Sequence, residues 1–399
     1  MSRAASRLAL NGGLPVRDRR LPLHEPWFGA EEIAAATACL RSGDLGGDGP
    51  RGKELERLLE EFFAARRVLL VTSCTSALEI ALMISGVGPD DEVILPSFTF
   101  ASTANAVVRA GARPVFVDIE PKNCNIDPSR IQEALTPRTR AILPVHYAGM
   151  ACSMEAIETI AGKHGLLVIE DAAHAVNAGY RGRPLGAWGP IGCVSFHETK
   201  DMVCGEGGAL VIRDDEDLAS KAEVIREKGT DRSAFMRGER DRYSWVALGG
   251  SYVLSDLLAA IALEQFKKVP EITRRKTEHA EFLLERLAPY GSLIRLPVVP
   301  EGCRPNWHLF AILVDPAHRD WILRALKAEG IGAAFHYIPL HSAPFALQNP
   351  AIPGIQLPVT DRVAASLIRL PLYAAMTPRD RADIVNALDK VLNEVAADV

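Results

Sequence analysis

From about residue 66 the chain settles into a rhythm that few folds accommodate: short, apolar, β-branched runs separated by amphipathic stretches of helical period. The runs are VLLV (68–71), EVILP (92–96), PVFVDI (114–119), AILPVHY (141–147), LLVIED (166–171), GCVSF (192–196) and GALVI (208–212). Between them lie TSALEIALMISG, ASTANAVVRAG and MEAIETIAGKHG, each closed by a glycine of the kind that ends a helix. Strand, helix and strand in this order are βαβ units, which assemble into a mostly parallel sheet with helices on both faces. The GEGG turn before the last run predicts that this strand comes back antiparallel. The expected core is therefore an α/β domain of seven strands and roughly 200 residues.

Beyond residue 250 the pattern changes. SDLLAAIALEQFKKV and ITRRKTEHAEFLLERLAPYG read as two long helices, broken at Pro270, that leave the large domain. HLFAILVD reads as a strand, DWILRALKAEGI as a helix and GAAFHYIPLH as a second strand, which together make a smaller α+β domain. RDRADIVNALDKVLNEV is an amphipathic helix. The expected division is an N-terminal arm (1–30), a large α/β domain (31–260), and a connecting helix with the small C-terminal domain (261–399).

A net charge of -5 gives no footprint for a nucleic-acid backbone. The seven cysteines are scattered, with no CxxC pair, which suits a reducing cytoplasm. MSRAASRLAL lacks the apolar core of a secretory leader, and no stretch approaches the length of a membrane span. No His or Cys pair has zinc-ligand spacing, so no metal is expected. These features predict a cytoplasmic globular protein.

Ligands of open α/β sheets collect at the carboxyl ends of the parallel strands, and four features fall there. SCTSALEIAL (73–82) runs from a strand into a hydroxyl-rich helix start, where free N–H groups and the helix dipole seat a phosphate. Asp171 ends the run VIED, as a structural cap or as the partner of a positively charged ring nitrogen. PSFTFAST (96–103) offers Phe100 as a flat aromatic face. Ser195 is followed five residues later by Lys200, at the junction of two apolar runs where an unpaired lysine is costly. Phosphate seat, acid, aromatic and lysine are together what pyridoxal 5'-phosphate requires: an amine to hold its aldehyde and an acid to keep its ring nitrogen protonated.

The motifs SGDLGGDGP, SCTSALE, LPSFTFASTANA, VHYAGMAC, VIEDAAH, SFHETK, GEGGALVI, IREKGTDRS and FHYIPLH, spread over nearly the whole chain, resemble the nucleotide-sugar aminotransferases of the DegT/DnrJ/EryC1/StrS family, fold-type I enzymes. The resemblance implies that Lys200 carries the aldehyde as a Schiff base and shuttles the proton, and that Asp171 pairs with the pyridine nitrogen. It further implies that Cys74 and Thr75 hold the phosphate through backbone N–H groups with help from the Ser195 hydroxyl. Phe100 stands at the position of the ring-stacking aromatic, and His174 at a position that is Gln in many relatives. Many members place an Asn in a GxN motif that reaches the phosphate of the partner subunit in a homodimer; here GGSYVLSD puts the shorter Ser251 in that slot.

For substrates the resemblance implies L-glutamate as donor and a dTDP-linked 4-dehydro-6-deoxy sugar, dTDP-4-dehydro-6-deoxy-D-glucose, as acceptor, aminated at C4. Lys228 and Arg232 in EKGTDR are candidates for the diphosphate, or a solvated charged loop. His336 and His341 are candidates for the sugar site, or structural histidines. A dehydratase of the same fold would carry His at the lysine position, and an idle regulator would lose the acid or the lysine. A nicotinamide dehydrogenase would need GxGxxG after the first strand, where VTSCTSA stands instead.

Overall fold

The computed structural model describes residues 7–398. The seven runs become strands β1 (Arg67–Val71), β2 (Glu92–Pro96), β3 (Arg113–Val117), β4 (Thr139–Ile142), β5 (Leu167–Asp171), β6 (Ile191–Ser195) and β7 (Gly208–Ile212). They form one sheet in the order β1-β7-β6-β5-β4-β2-β3. Only β7 runs antiparallel to its neighbours β1 and β6, as the GEGG turn predicts. Alternate side chains feed two cores, because a strand points successive residues to opposite faces. Leu69, Val71, Val93, Leu95, Ile169 and Leu210 pack beneath α3 (Cys74–Ile84) and α4 (Ala101–Arg109) on one face. Val68, Leu70, Ile94, Val168, Val194 and Val211 pack on the other, with α2 (Pro50–Phe63) and α6 (Met154–His164). Of the other helices here, α1 is Ala30–Ser42, α5 Pro128–Ala134 and α7 Glu216–Arg226.

The expected break at Pro270 does not occur. A single helix of 32 residues, α8, runs from Asp256 to Leu287 through the proline. Proline inside a helix costs about 3 kcal/mol. Burial of one Val, Leu or Ile returns about 1.5–3 kcal/mol, and Leu263, Val269, Ile272 and Leu283 are all buried along this helix. Before the proline, Gln265 donates to the carbonyl of Trp27 at 3.0 Å. After it, Lys276 donates to the carbonyl of His308 at 2.9 Å, so both flanks are clamped.

The small lobe holds β8 (Ile294–Arg295), β9 (Phe310–Val314) and β10 (Leu367–Leu370) in the order β8-β9-β10, with α9 (Pro316–Ala328), α10 (Pro358–Ser366) and α11 (Pro378–Asp398). GAAFHYIPLH is not a strand: it makes one antiparallel bridge, Ala334 with Arg369. Past Ala334 the backbone leaves the sheet edge to reach the end of β2, where the Leu340 N–H donates to the carbonyl of Ser97 at 3.1 Å. The strand beside β9 is instead SLIRLPL, which the sequence reading passed over. The first described residues join this lobe. Leu8 and Leu21 lie in its core, and the Ala9 and Val16 N–H groups donate to the two oxygens of Glu329 at 2.8 and 3.0 Å.

Candidate active site

The carboxyl ends of β1, β2, β5 and β6 open toward the small lobe, and the groups gathered there follow from where each strand stops. β1 runs through Thr72 into α3, whose N-cap Ser73 accepts from the Ser76 N–H at 3.0 Å. That cap leaves the first-turn N–H groups, those of Cys74 and Thr75 among them, for a ligand. Gly208, at the start of β7, lies directly behind: a Cβ there would stand 2.6 Å from the Cys74 nitrogen. Ser195, buried at the end of β6, pairs with Gly208 across the sheet and so flanks the same turn. The Thr75 hydroxyl meets that of Ser102 at 2.7 Å, tying the first turns of α3 and α4 together. Burial pushes the Cys74 thiol well up, so it stays protonated and leaves the chemistry at this turn to its backbone N–H.

VIED supplies two acids with opposite duties. Glu170 points to the far face, where it accepts from the N–H groups of Gly186, Trp188 and Gly189 at 2.7–2.9 Å and contacts His146. Asp171 faces the site. Its Oδ2 accepts from the Thr103 hydroxyl at 2.8 Å and its Oδ1 from the Ala173 N–H at 3.1 Å. Thr99 meets Thr103 at 2.8 Å, completing a hydroxyl relay to the acid. Burial pushes the Asp171 carboxyl up, against the pull of these donors and of Lys200, so a cationic partner would favour its charged form.

Lys200 lies beyond β6, and burial pushes its amine down toward the neutral form, opposed by Cys74 and Asp171. The next residue, Asp201, pairs with the buried Lys276 of α8. This fixes the backbone that carries Lys200 to the helix joining the two lobes.

His174 is buried, and burial followed by the Lys200 charge holds it well below the ordinary histidine range. Its Nδ1 faces the Ala148 N–H at 3.4 Å, which puts the ring proton on Nε2, 3.5 Å from the Tyr337 hydroxyl. One face of the ring stacks on His308 at 4.2 Å. Asn306 straps the segment by donating to the carbonyls of His174 and Val176 at 2.9 and 2.8 Å. Gly149, with a positive φ of 75°, makes room for it, since any Cβ there would collide with the Asn306 amide oxygen.

The structure therefore brings Cys74, Thr75, Asp171, His174, Ser195 and Lys200 to one region, with Phe100 at its rim. Phe100 is 62% exposed, its ring 6.5 Å from that of Tyr337. His336 joins the same region through Tyr147 and Arg369, at 3.2 Å each. His341 does not: its Nδ1 bonds the Ser97 hydroxyl at 2.8 Å and its Nε2 lies 3.3 Å from Asp361, which makes it the rivet of the 340–342 turn. Lys228 and Arg232 also stand apart within the chain. Lys228 pairs with Glu227 at 3.2 Å, Arg232 is exposed at a helix start, and Ser251 is exposed on the neighbouring strand-like bridge to Glu227. Sequence reasoning missed Thr103, Tyr147, His308, Tyr337 and Arg369. Thr103, Tyr147 and Tyr337 lie inside motifs already singled out, whereas His308 and Arg369 carry no local signal.

The residues fit pyridoxal phosphate. A helix start with free N–H groups, closed from behind by Gly208, suits the phosphate. A buried carboxyl braced by Thr103 suits a protonated ring nitrogen, and a desolvated lysine amine suits the aldehyde.

Comparisons agree with this geometry. The model of the DegT/DnrJ/EryC1/StrS aminotransferase family matches residues 26–389. The spore coat polysaccharide biosynthesis protein SpsC of Bacillus subtilis is 37% identical over 384 residues, 94% of this chain and 98% of that protein. The crystal structure of the aminotransferase TlmJ from Streptoalloteichus hindustanus superposes with a TM-score of 0.87 at 31% identity, covering 94% of this chain and 100% of that one. The putative sugar aminotransferase Spr1654 of Streptococcus pneumoniae, in its PLP form, gives 0.87 at 25% identity, with 94% and 99% covered. The chain belongs to the DegT/DnrJ/EryC1/StrS family and is a pyridoxal-phosphate-dependent sugar aminotransferase.

Proposed function

We propose that the chain transfers the amino group of L-glutamate to C4 of a dTDP-4-dehydro-6-deoxy sugar, dTDP-4-dehydro-6-deoxy-D-glucose, giving a dTDP-4-amino-4,6-dideoxyhexose and 2-oxoglutarate. The observation that carries the reading is the apolar rim on the Tyr337 side of the site. Phe100, its ring 6.5 Å from that of Tyr337, and Ile338, next in the chain after Tyr337, are exposed at the edge of a site whose floor is polar. An apolar rim accepts a methyl where a hexose has its 6-hydroxyl; a hydroxyl buried there without a partner costs about 1–3 kcal/mol.

Pyridoxal phosphate supplies an aldehyde that exchanges amines and a ring that stores the electron pair left when a proton departs. Lys200 Nζ, kept toward the neutral form by burial, would hold the proton released from Cα of the donor. Asp171 would keep a proton on the ring nitrogen of the bound cofactor, with the Thr103 hydroxyl and the Ala173 N–H fixing its carboxylate plane. The Cys74 and Thr75 N–H groups and the Ser195 hydroxyl would hold its phosphate. His174 lies flat between His308 and the site and offers Nε2–H as a donor.

The active unit is a cytoplasmic homodimer. Trp245 and Leu248, 77% and 76% exposed, make an apolar face beside Ser251, Lys228 and Arg232, of the kind that a partner subunit covers. Those three polar groups then serve the partner's phosphate and diphosphate. Sedimentation of the loaded protein should give twice the chain mass.

The deciding experiment offers the amino-loaded enzyme a panel of keto sugars and identifies the product by NMR. Fastest conversion of dTDP-4-dehydro-6-deoxy-D-glucose, with the amine on C4, is the expected result. Faster conversion of a 3-keto sugar, or of a UDP sugar that keeps its 6-hydroxyl, overturns the substrate and leaves the aminotransferase.

A further inference from the structure

His174 and Lys200 reach the site from beyond two neighbouring strand ends, those of β5 and β6. A third segment, residues 306–308, contacts the supports of both before the chain enters β9 of the small lobe. Asn306 straps the His174 backbone, and two residues on His308 supports the ring. The two imidazoles stack with centroids 4.2 Å apart and planes 28° from parallel. Between Asn306 and His308, the buried Trp307 takes a left-handed φ of 54°. A bulky residue adopts that conformation only where the packing around it enforces it.

His308 also faces the loop of Lys200. Its Nδ1 lies 3.4 Å from Oδ2 of Asp201, the residue after Lys200. Both atoms are buried, and neither makes another hydrogen bond among the described residues. Oδ1 of the same carboxylate takes the Lys276 amine of α8, which also donates to the His308 carbonyl at 2.9 Å. One lysine thus fixes Asp201 by its side chain and His308 by its backbone. Burial, followed by the charges of Lys200 and Lys276, holds His308 well below the histidine range, so the ring is neutral. A neutral ring has one N–H, and Asp201 is the acceptor that Nδ1 meets. His174 carries its proton on Nε2, so the stacked rings hold opposite tautomers.

Lys200 has to move a proton while His174 offers its donor, and a misplacement of about 1 Å between such groups can cost about a hundredfold in rate. The side chains packed around them keep that placement. We propose that His308 is a positioning residue: it seats the His174 ring and, through Asp201, ties that ring to the loop that carries Lys200. Because residues 306–308 lead into β9 and Lys276 lies on α8, the tie also joins both groups to the small lobe. Its effect on rate rests on the aminotransferase reading above, whereas the placement of the rings does not.

The test compares wild type with His308→Leu, which removes ring and donor, His308→Phe, which keeps the ring, and His308→Gln, whose flat amide keeps an N–H. Nitrogen NMR of the cofactor-free chain, labelled at histidine and assigned with His174→Gln, reads the tautomers. Wild type should show His174 protonated on Nε2 alone and His308 on Nδ1 alone. His308→Leu should average or split the His174 signals, with His308→Phe intermediate and His308→Gln nearest wild type. In the loaded enzyme His308→Leu should lower kcat about tenfold and change the KM for L-glutamate less than about threefold. It should also weaken the circular dichroism of the cofactor band by about half, and His308→Gln should restore most of both. A residue that only stabilises the fold would lower the melting temperature and leave the His174 tautomer, the cofactor band and kcat as they were. That result in His308→Leu, or in His308→Phe where the leucine variant does not fold, overturns the proposal. So does a wild-type His308 protonated on Nε2 alone, which leaves Asp201 without a donor from the ring. If wild type converts no amino acid yet the His174 tautomer follows His308, the positioning stands and the aminotransferase reading falls.

Discussion

In the large lobe Cys74, Thr75, Thr103, Asp171 and Ser195 hang from the end of a strand or the first turn of a helix. The small lobe reaches the same space through Arg369 on β10 and through residues 332–340, which hold to their sheet by the bridge between Ala334 and Arg369. The large-lobe wall is also closed: Ser195, Asp171 and Thr103 are buried, and Gly208 leaves no space behind the phosphate seat. The small-lobe wall is open, with Ile338 64% exposed. One wall is rigid because it is built from sheet; the other is free to differ because little of its backbone is committed. Chemistry common to many sugars belongs on the first, and choice among sugars on the second.

That contrast can be broken in order of expected effect. Lys200→Ala should lower both half-reactions by at least about 10⁴-fold, since it removes nucleophile and proton carrier together. The check is single-turnover rates, with borohydride fixing the cofactor to the Lys200 peptide in wild type only. Asp171→Asn should retain cofactor and lose about 3–4 kcal/mol of transition-state stabilisation, several hundredfold in rate. An unchanged kcat would make Asp171 a strand cap. Gly208→Ala places a methyl against the Cys74 nitrogen at 2.6 Å, and overpacking of this kind costs roughly 1–3 kcal/mol. It should appear as weaker cofactor binding in a fluorescence titration, and equal affinity would remove the phosphate from α3. Ile338→Ser, on the open wall, should leave cofactor affinity untouched and shift the ratio of rates between 6-deoxy and 6-hydroxy sugars by less than tenfold.

The smallest effect is on acid stability. Burial holds His174 and His308 well below the histidine range, and His336 down to about 2. The unfolded chain protonates these rings near pH 6.5 and the folded chain does not, so their contribution is present above that pH and lost as pH falls. Each lost proton steepens the decline by about 1.4 kcal/mol per pH unit. His308→Gln should therefore reduce proton uptake on unfolding at pH 5 by about one, read from denaturant midpoints across pH. No change would mean that His308 is protonated in the native stack.

The same contrast explains what could be read in the sequence. Seven strands, their antiparallel last member, and Cys74, Thr75, Asp171, Ser195 and Lys200 were legible because period, caps and strand ends are local. Arg369 was not, since its place at the site comes from the pairing of β10 with β9. FHYIPLH was misread as a strand because its composition suits one, while its backbone is drawn off to Ser97. Pro270 was misread as a break because local propensity omits the burial on either side of it.

The N-terminal segment has a consequence for how the protein is made. Ala9 meets Glu329 across 320 residues of chain, and Leu21 bridges Ile331. At roughly 5–20 residues per second of synthesis, the segment waits on the order of 16–60 s before its partner leaves the ribosome. Its leucines spend that interval without a core, while the large sheet, complete by residue 212, is already able to close. Assembly therefore runs inside out along the chain: the middle folds first, and the two ends meet last to finish the lobe that carries Arg369.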